Sequence, residues 1–137
     1  MKSTLLCILS IVFGIWFEPD NIMAEGKTEK FVHVSLIELI SNKTNFHGKT
    51  ALAEGYAVIG FENISLSLTK DNAEYGITKN GVWIDFEEQF LKTNDIRKLN
   101  GKWIFVVGKF DANEKGHLGL WSGSVTDINR VGLLRKQ

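Results

Sequence analysis

The sequence predicts a mostly β chain, in which five strands close into a small Greek-key barrel after a short N-terminal helix. Two observations carry this prediction. Five apolar stretches, the clearest of them alternating with polar residues, are separated by turn signals. The first stretch is too long for a flat strand and has Gly55 in its middle. A glycine inside a strand often marks a bulge or bend. In a small closed barrel, a long first strand that bends can belong to both sheets.

The helix is predicted over residues 36–42. Ser35 is followed three residues later by Glu38, which fits a capping box at a helix start. Apolar residues at 36, 37, 39 and 40 then form one side of two helical turns. A short helix ahead of the first strand follows from this pattern.

The strands are placed by alternation and by turn residues. The second strand alternates Ile, Leu and Leu with Ser, Ser and Thr, and Asn80-Gly81 is a tight-turn signal before the third. The fourth strand is apolar on both faces, so both faces should be covered. Residues 87–100 form a polar connection with a weak helix signal. Residues 130–137 are a tail, with partial strand pairing through Val131 and Leu133 as the alternative. The five predicted strands are residues 49–61, 64–69, 82–86, 102–110 and 117–128.

Two segments of the chain open in the same way. Residues 48–49 and 101–102 are both Gly-Lys, and each pair precedes a second glycine by seven residues, Gly55 and Gly108. A phosphate-binding loop would need several glycines close together at the start of a helix, whereas these glycines sit on predicted strands. The segments that follow them differ, so the domain is not a repeat. We interpret the pairs as turns into two strands, each bent at its second glycine.

Several short motifs together resemble a known group of domains. They are Ser-Leu-Ile-Glu-Leu at 35–39, Gly-Lys to Gly-Tyr at 48–56, Leu-Asn-Gly-Lys to Gly at 99–108, Gly-His at 116–117, and Ser-Gly to Asn at 122–129. Five strands with a bent first strand look like an OB-fold, and the motifs resemble a group of small exported bacterial OB-fold-like domains, many of them uncharacterised. The resemblance implies the fold and almost nothing of chemistry. The usual OB-fold helix lies between strands three and four, whereas the stronger helix signal here precedes strand one.

The N-terminus has the pattern of a secretory signal peptide over residues 1–24. A positive start at Lys2 is followed by an apolar run at residues 5–17, a polar break and the small residue Ala24. The run is shorter than the roughly 20 residues that a helix needs to span a bilayer. The alternative is a buried N-terminal helix. We therefore expect one domain at residues 25–137, exported to the periplasm or secreted, without stable membrane insertion after cleavage.

Charge and cysteine content narrow the function classes. The chain has 16 basic and 16 acidic residues, so long-range attraction to nucleic acid or to an anionic membrane is weak. Arg97, Lys98 and Lys102 form only a small basic cluster, typical of a solvated strand edge. Cys7 lies inside the signal-like run with no small residues before it, which disfavours a lipid anchor. The chain from residue 25 has no cysteine and must be stabilised by its core without disulfides.

The sequence favours a chain without a catalytic or metal site. Asp85, Glu87 and Glu88 form an acidic cluster that could perform acid–base chemistry or hold calcium, although a solvated strand end has the same pattern. No serine lies in a nucleophile elbow. Three histidines lack a second His or Cys at zinc-ligand spacing: His33, His47 and His117. We therefore predict no enzymatic activity, no cofactor and no metal.

The predicted binding surface is the outer face of strands two and three, which OB-folds commonly use with the adjoining loops. An exposed Trp83 amid hydroxyl groups would be a stacking platform for a ring or a peptide side chain. The alternative is that the helix or the N-terminal segment covers Trp83. The candidate residues are Ser65, Ser67, Thr69, Trp83 and Asp85 on this face, with Tyr75 and Trp121 beside it.

These observations lead to three functional hypotheses. The first is an exported, non-enzymatic binding module that recognises a protein partner in the cell envelope, as an adaptor or an inhibitor. The second is a binder of oligosaccharide or oligonucleotide on the same face, with nucleic acid disfavoured by export and by the neutral charge. The third and most remote is a carboxylate-based enzyme or metal site at Asp85 and Glu87.

Overall fold

The computed structural model describes residues 23–24 and 30–136. Most of the proposed signal peptide lies outside the described residues, so cleavage and export stay predictions. In the part of the chain that the structure describes, no helix is both long enough and apolar enough to cross a membrane.

The chain is mostly β, and its five main strands form a closed ring of hydrogen-bonded neighbours. β1 pairs antiparallel with β2 on one side and with β4 on the other, β2 pairs with β3, and β4 pairs with β5. A parallel pairing of β3 with β5 completes the ring. The strands are β1 (Thr50–Gly60), β2 (Asn63–Ser67), β3 (Gly81–Ile84), β4 (Trp103–Asp111) and β5 (Ser124–Leu133).

Two short strands near the N-terminus extend this sheet. Met23–Ala24 pairs antiparallel with β5, and Val32–His33 pairs parallel with the start of β1. They use strand edges that the ring leaves open, because β1 and β5 each change neighbours along their length. Residues 23–24 and 32–33 are therefore part of the sheet, which the sequence pattern did not indicate.

The predicted N-terminal helix is present and begins where its cap predicts. The amide of Glu38 donates to Ser35 Oγ at 3.2 Å, and the helix buries Leu36 and Leu39. Residues 87–100 also contain a helix, between β3 and β4. The helices are α1 (Leu36–Ser41), α2 (Lys43–Phe46), α3 (Lys70–Glu74) and α4 (Glu88–Thr93), and the 3₁₀ turns are Thr78–Asn80, Ile96–Leu99 and His117–Gly119.

One hydrophobic core fills the ring and extends under the helices. Burial of these side chains is the main favourable contribution to folding, and no disulfide is required for it. Its largest fully buried members are Leu39, Leu66, Val82, Ile84, Phe90, Leu99, Ile104, Val106, Phe110, Val125 and Val131.

Both strand glycines singled out by the sequence lie where the backbone of a neighbouring strand comes close. β1 keeps one register with β4 through Gly55, and a Cβ on Gly55 would lie 2.9 Å from the carbonyl oxygen of Ser67. Gly108 lies at a register shift between β4 and β5, where a Cβ would lie 2.6 Å from the carbonyl oxygen of Thr126. The irregularity predicted at Gly108 is confirmed, and close backbone approach is the reason; the bend predicted at Gly55 stays a prediction.

The position of strand five was predicted wrongly. It was placed at 117–128, but β5 is Ser124–Leu133 and includes much of the predicted tail. His117–Gly119 is a 3₁₀ turn, since the backbone enters the left-handed region at Gly116, Leu118 and Gly119. The alternative that the tail pairs in part through Val131 and Leu133 is the one that the structure shows, and Val131 is fully buried.

Candidate functional site

The predicted binding face forms a row of side chains across three strands. In register, Ser65 of β2 lies opposite Trp83 of β3, and Trp83 lies opposite Ser124 of β5. Alternation along β2 and β3 therefore placed Ser65 and Trp83 on one face, as predicted. The prediction that this face is open is wrong, because Ser65 is only 2% exposed and Ser67 is also buried.

Among the described residues, the β4–β5 loop, residues 112–123, lies on this face at Trp83. Trp121 of this loop is 4% exposed, and its indole contacts that of Trp83 edge to face, with centroids 4.9 Å apart and planes at 65°. A Cβ added at Gly116 would lie 2.6 Å from Cγ and Cδ2 of Trp83. The loop backbone therefore lies directly on the indole, and Trp83 is partly buried.

The hydroxyl groups beneath the β4–β5 loop are enclosed. Ser65 Oγ donates to Asn63 Oδ1 at 2.7 Å. Ser124 Oγ is buried and has no hydrogen-bond partner among the described residues. An enclosed, unsatisfied hydroxyl carries a desolvation cost of about 1–3 kcal/mol. These groups cannot serve a ligand while the loop is in place.

The remaining predicted site residues lie apart. Thr69 is exposed, and its Oγ1 accepts from the amide of Asn72 at 3.0 Å, which caps α3. Tyr75 is exposed at the end of α3. Asp85 is exposed just after the C-terminal end of β3, whereas Thr69 and Tyr75 precede the N-terminal end of this strand. The structure thus places Thr69 and Asp85 past opposite ends of the covered face.

Side chains around the covered face hold the β4–β5 loop down. Thr78 Oγ1 donates to the carbonyl oxygen of Leu120 at 3.0 Å, and Ser122 Oγ donates to that of Lys79 at 2.6 Å. These bonds attach the loop to the 3₁₀ turn before β3. The amide of Ser122 also donates to the carbonyl oxygen of Gly81 at 3.2 Å.

The same loop is linked to the β1–β2 hairpin. His117 Nε2 lies 3.7 Å from Glu62 Oε2, so the hairpin tip and the loop are neighbours. Phe61, at that tip, is 94% exposed, and Leu118 of the loop is 79% exposed. Solvent exposure of two large apolar side chains on adjacent loops is unfavourable for the isolated chain and is typical of an interaction surface.

We call this set of exposed apolar side chains the loop rim. Nine large apolar residues are exposed in the described part of the chain, and five of them lie on the three connections that border the covered face. Sequence analysis singled out only one of the five, because alternation carries no information about loops. The loop rim consists of Phe61, Tyr75, Ile77, Leu118 and Leu120.

Leu118 combines this exposure with an unusual backbone conformation. Its φ is 56° and its ψ is 14°, in the left-handed region that disfavours side chains with a Cβ by about 1–2 kcal/mol. Strained residues of this kind cluster at functional sites. The Leu118 side chain in this conformation is exposed to solvent and not buried.

The acidic cluster lies beyond the end of β3, which is at Ile84. Asp85, Glu87 and Glu88 are exposed, and Phe86 between them is buried. The residues that the structure describes contain no group of three or more His, Cys, Asp or Glu side chains that could hold a metal ion.

His47 links the end of α2 to the start of the β4–β5 loop. The amide of Ala112 donates to its Nδ1 at 3.1 Å. Asp111 Oδ1 is 3.5 Å from the same nitrogen, a contact that becomes an ion pair only when the ring is protonated. The pKa of Asp111 is lowered, chiefly because its carboxylate accepts from the amides of Asn113 and Glu114.

Comparisons with known proteins leave the family open. No family model matches the chain, and no curated protein matches it. A solved structure of a candidate aspartyl-tRNA synthetase from Leishmania major Friedlin aligns over 82% of this chain with 10% identity and a TM-score of 0.48. The aligned part is 22% of that protein. A likeness at this level carries no argument about function.

Proposed function

We propose that this chain is an exported, non-enzymatic binding module that recognises another protein of the cell envelope, as an adaptor or an inhibitor. The observation that carries the proposal is the loop rim, in which Phe61 and Leu118 are 94% and 79% exposed on loops in contact with each other. The recognition surface is therefore the loops around the β2–β3 face, not the strand face itself.

We further propose that the fold is an OB-fold-like Greek-key barrel. Support comes from the closed strand order, in which β1 pairs with both β2 and β4 while β3 pairs in parallel with β5. The helix α4 between β3 and β4 lies where OB-folds usually place theirs. In such a fold the β1–β2 and β4–β5 loops form one end of the binding surface, which is where Phe61 and Leu118 lie.

The chemistry of the rim favours a protein over a glycan or a nucleic acid. Its side chains are aliphatic or aromatic, as in the cores of protein interfaces. The charged residues near Phe61 and Leu118 already have partners: Glu62 faces His117, and Lys79 Nζ donates to the carbonyl oxygen of Gly119 at 3.4 Å. The partly buried Trp83 offers no open stacking face to a sugar or a base.

The test is affinity capture from a cell-envelope extract with the chain from residue 25 to 137 as bait. The loop-rim variant carries Phe61→Ser and Leu118→Ser. The matched control is Ile37→Ser, which replaces an exposed apolar residue on α1, outside the rim. Mass spectrometry identifies what each bait retains.

A protein retained at defined stoichiometry by the wild type and the control, and lost by the loop-rim variant, is the expected result. Circular dichroism of the three baits shows whether each is folded. An empty capture, or a partner retained equally by the loop-rim variant, would overturn the proposal. Retention of glycan without protein would replace it with the oligosaccharide hypothesis.

A further inference from the structure

A second surface feature lies between the start of β4 and the residues that follow β5. It is a shallow groove of about 570 Å³ lined by Lys102, Trp103, Leu133, Leu134, Arg135 and Lys136. We call it the basic groove. None of its residues belongs to the loop rim, and none was among the site residues that the sequence predicted.

The wall of the basic groove is apolar, and contacts with neighbouring residues hold its tryptophan in place. Trp103 is 46% exposed, and its ring meets that of Tyr56 edge to face, with centroids 5.8 Å apart. The two residues are also paired across β1 and β4. The amide of Leu134 donates to the carbonyl oxygen of Trp103 at 2.9 Å. These contacts fix the indole while leaving nearly half of its surface accessible.

The charge lining the groove has one sign. The ionisable residues of the lining are Lys102, Arg135 and Lys136, and no carboxylate is among the six. The chain as a whole has equal numbers of basic and acidic residues, so this is a local asymmetry. The basic groove therefore has complementary charge for an anionic ligand.

The sequence had grouped these cations differently. It placed Lys102 with Arg97 and Lys98, but Arg97 Nε donates to Asp95 Oδ1 at 2.8 Å. The fold instead brings Lys102 next to basic residues more than thirty positions later, because β4 and β5 are antiparallel neighbours.

We propose that the basic groove binds an acidic peptide segment of a protein partner. An aliphatic or aromatic side chain of the peptide would pack on Trp103 and Leu133, and its carboxylates would face Lys102 and Lys136. This inference rests on the proposed function as a protein-binding module and names the chemistry of one partner segment. It concerns a surface whose residues are distinct from the loop rim.

The lining favours a peptide over other anions. Single-stranded nucleic acid is held by successive aromatic platforms, whereas the groove offers one accessible aromatic ring. Trp is enriched among the residues that dominate protein interfaces, and Trp103 lines this groove. A peptide that carries both apolar and acidic residues can place the apolar side chains on the apolar wall and the carboxylates beside the cations.

The test is selection from a peptide-display library with the chain 25–137, followed by titration of the enriched synthetic peptide by fluorescence anisotropy. The groove variants are Trp103→Ala and the double charge reversal Lys102→Glu with Lys136→Glu. The matched control, Lys98→Glu with Lys109→Glu, makes the same change of net charge at exposed lysines outside the groove. Thermal melts show that each variant is folded.

We expect acidic peptides with an apolar anchor to be enriched, with affinity reduced at least about tenfold in both groove variants and within about twofold in the control. Enrichment without acidic residues, or equal affinity in the charge reversal, would overturn the proposal. Tighter binding of a single-stranded oligothymidylate or of anionic vesicles, lost in the same variants, would show a different occupant and would also overturn it.

The two proposals can fail separately. A selected peptide that binds the loop-rim variant as tightly as wild type, while envelope capture is empty, would support the basic groove as a site and contradict the loop rim as a site. Envelope capture that depends on the rim, with no acidic peptide selected, would do the reverse.

Discussion

The indole of Trp121 packs edge to face on that of Trp83, with ring centroids 4.9 Å apart. This contact closes the β4–β5 loop over the β2–β3 face and makes the loop part of the folded structure. It also means that Trp83 cannot be removed as if it were a free surface residue. The proposed partner surface is therefore the loop rim, which includes Leu118 of this loop.

The first prediction is that Trp121→Ala destabilises the chain by about 3–5 kcal/mol, because it leaves a cavity against Trp83. Urea denaturation followed by circular dichroism measures the free energy of unfolding. Tyr75→Ala, at an exposed aromatic residue, should change it by less than about 0.5 kcal/mol. Equal small losses in both variants would show that Trp121 is not packed.

The second prediction compares two glycines of the same loop. Gly116 and Gly119 have φ values of 66° and 67°, but a Cβ would clash with Trp83 only at Gly116, and nothing lies within 4 Å at Gly119. Gly119→Ala should cost about 1–2 kcal/mol for the left-handed backbone alone, and Gly116→Ala should cost clearly more. The measurement is the difference between the two variants in urea midpoint. No difference would mean that the loop does not lie on the indole.

The third prediction concerns Leu118. Asn tolerates the left-handed region better than Leu, so Leu118→Asn should raise the free energy of unfolding by about 0.5–1 kcal/mol while weakening partner capture. Isothermal urea unfolding and the capture assay are run on the same preparation. A less stable variant would show that Leu118 contributes packing, contrary to its exposure.

The fourth prediction is a dependence of stability on pH through Asp111. The amides of Asn113 and Glu114 lower its pKa in the folded chain, below the unfolded value of about 3.9. The stabilisation from Asp111 is therefore present above about pH 4 and is lost as pH falls through the lowered pKa. The melting temperature of wild type should exceed that of Asp111→Asn at pH 6, and the gap should narrow towards pH 2.5. A gap that widens on acidification would contradict this.

The size of this effect should be small. Asp111 is well solvated, and solvent screens the interactions of exposed carboxylates. The comparison with Asp111→Asn isolates its contribution, because other carboxylates titrate over the same pH range in both proteins.

Much of the strand pattern could be predicted from local chemistry. Alternation placed Ser65 and Trp83 on one face, and Gly108 marked an irregular site in β4 because a backbone carbonyl approaches it closely. The capping residue Ser35 located the start of α1. These are signals within a few residues of the feature they specify.

The features missed depend on contacts between distant segments. Covering of Trp83 by Gly116 and Trp121 follows from the path of a loop, which has no periodicity to detect. Strand five was predicted to start at residue 117 rather than at Ser124, because the left-handed backbone of the 3₁₀ turn at His117–Gly119 leaves no signal in the alternation of apolar and polar residues. The basic groove joins Lys102 to residues after β5, which only the antiparallel pairing of β4 with β5 brings together.

The most direct test of the central claim is hydrogen exchange of the complex with the captured partner. Binding at the loop rim predicts slower exchange at residues 60–63 and 117–120, with little change at the exposed helix α1. Protection confined to α1 or to α4, with the exchange of residues 60–63 and 117–120 unchanged, would contradict the claim that this protein recognises its partner through the loops that close over the β2–β3 face.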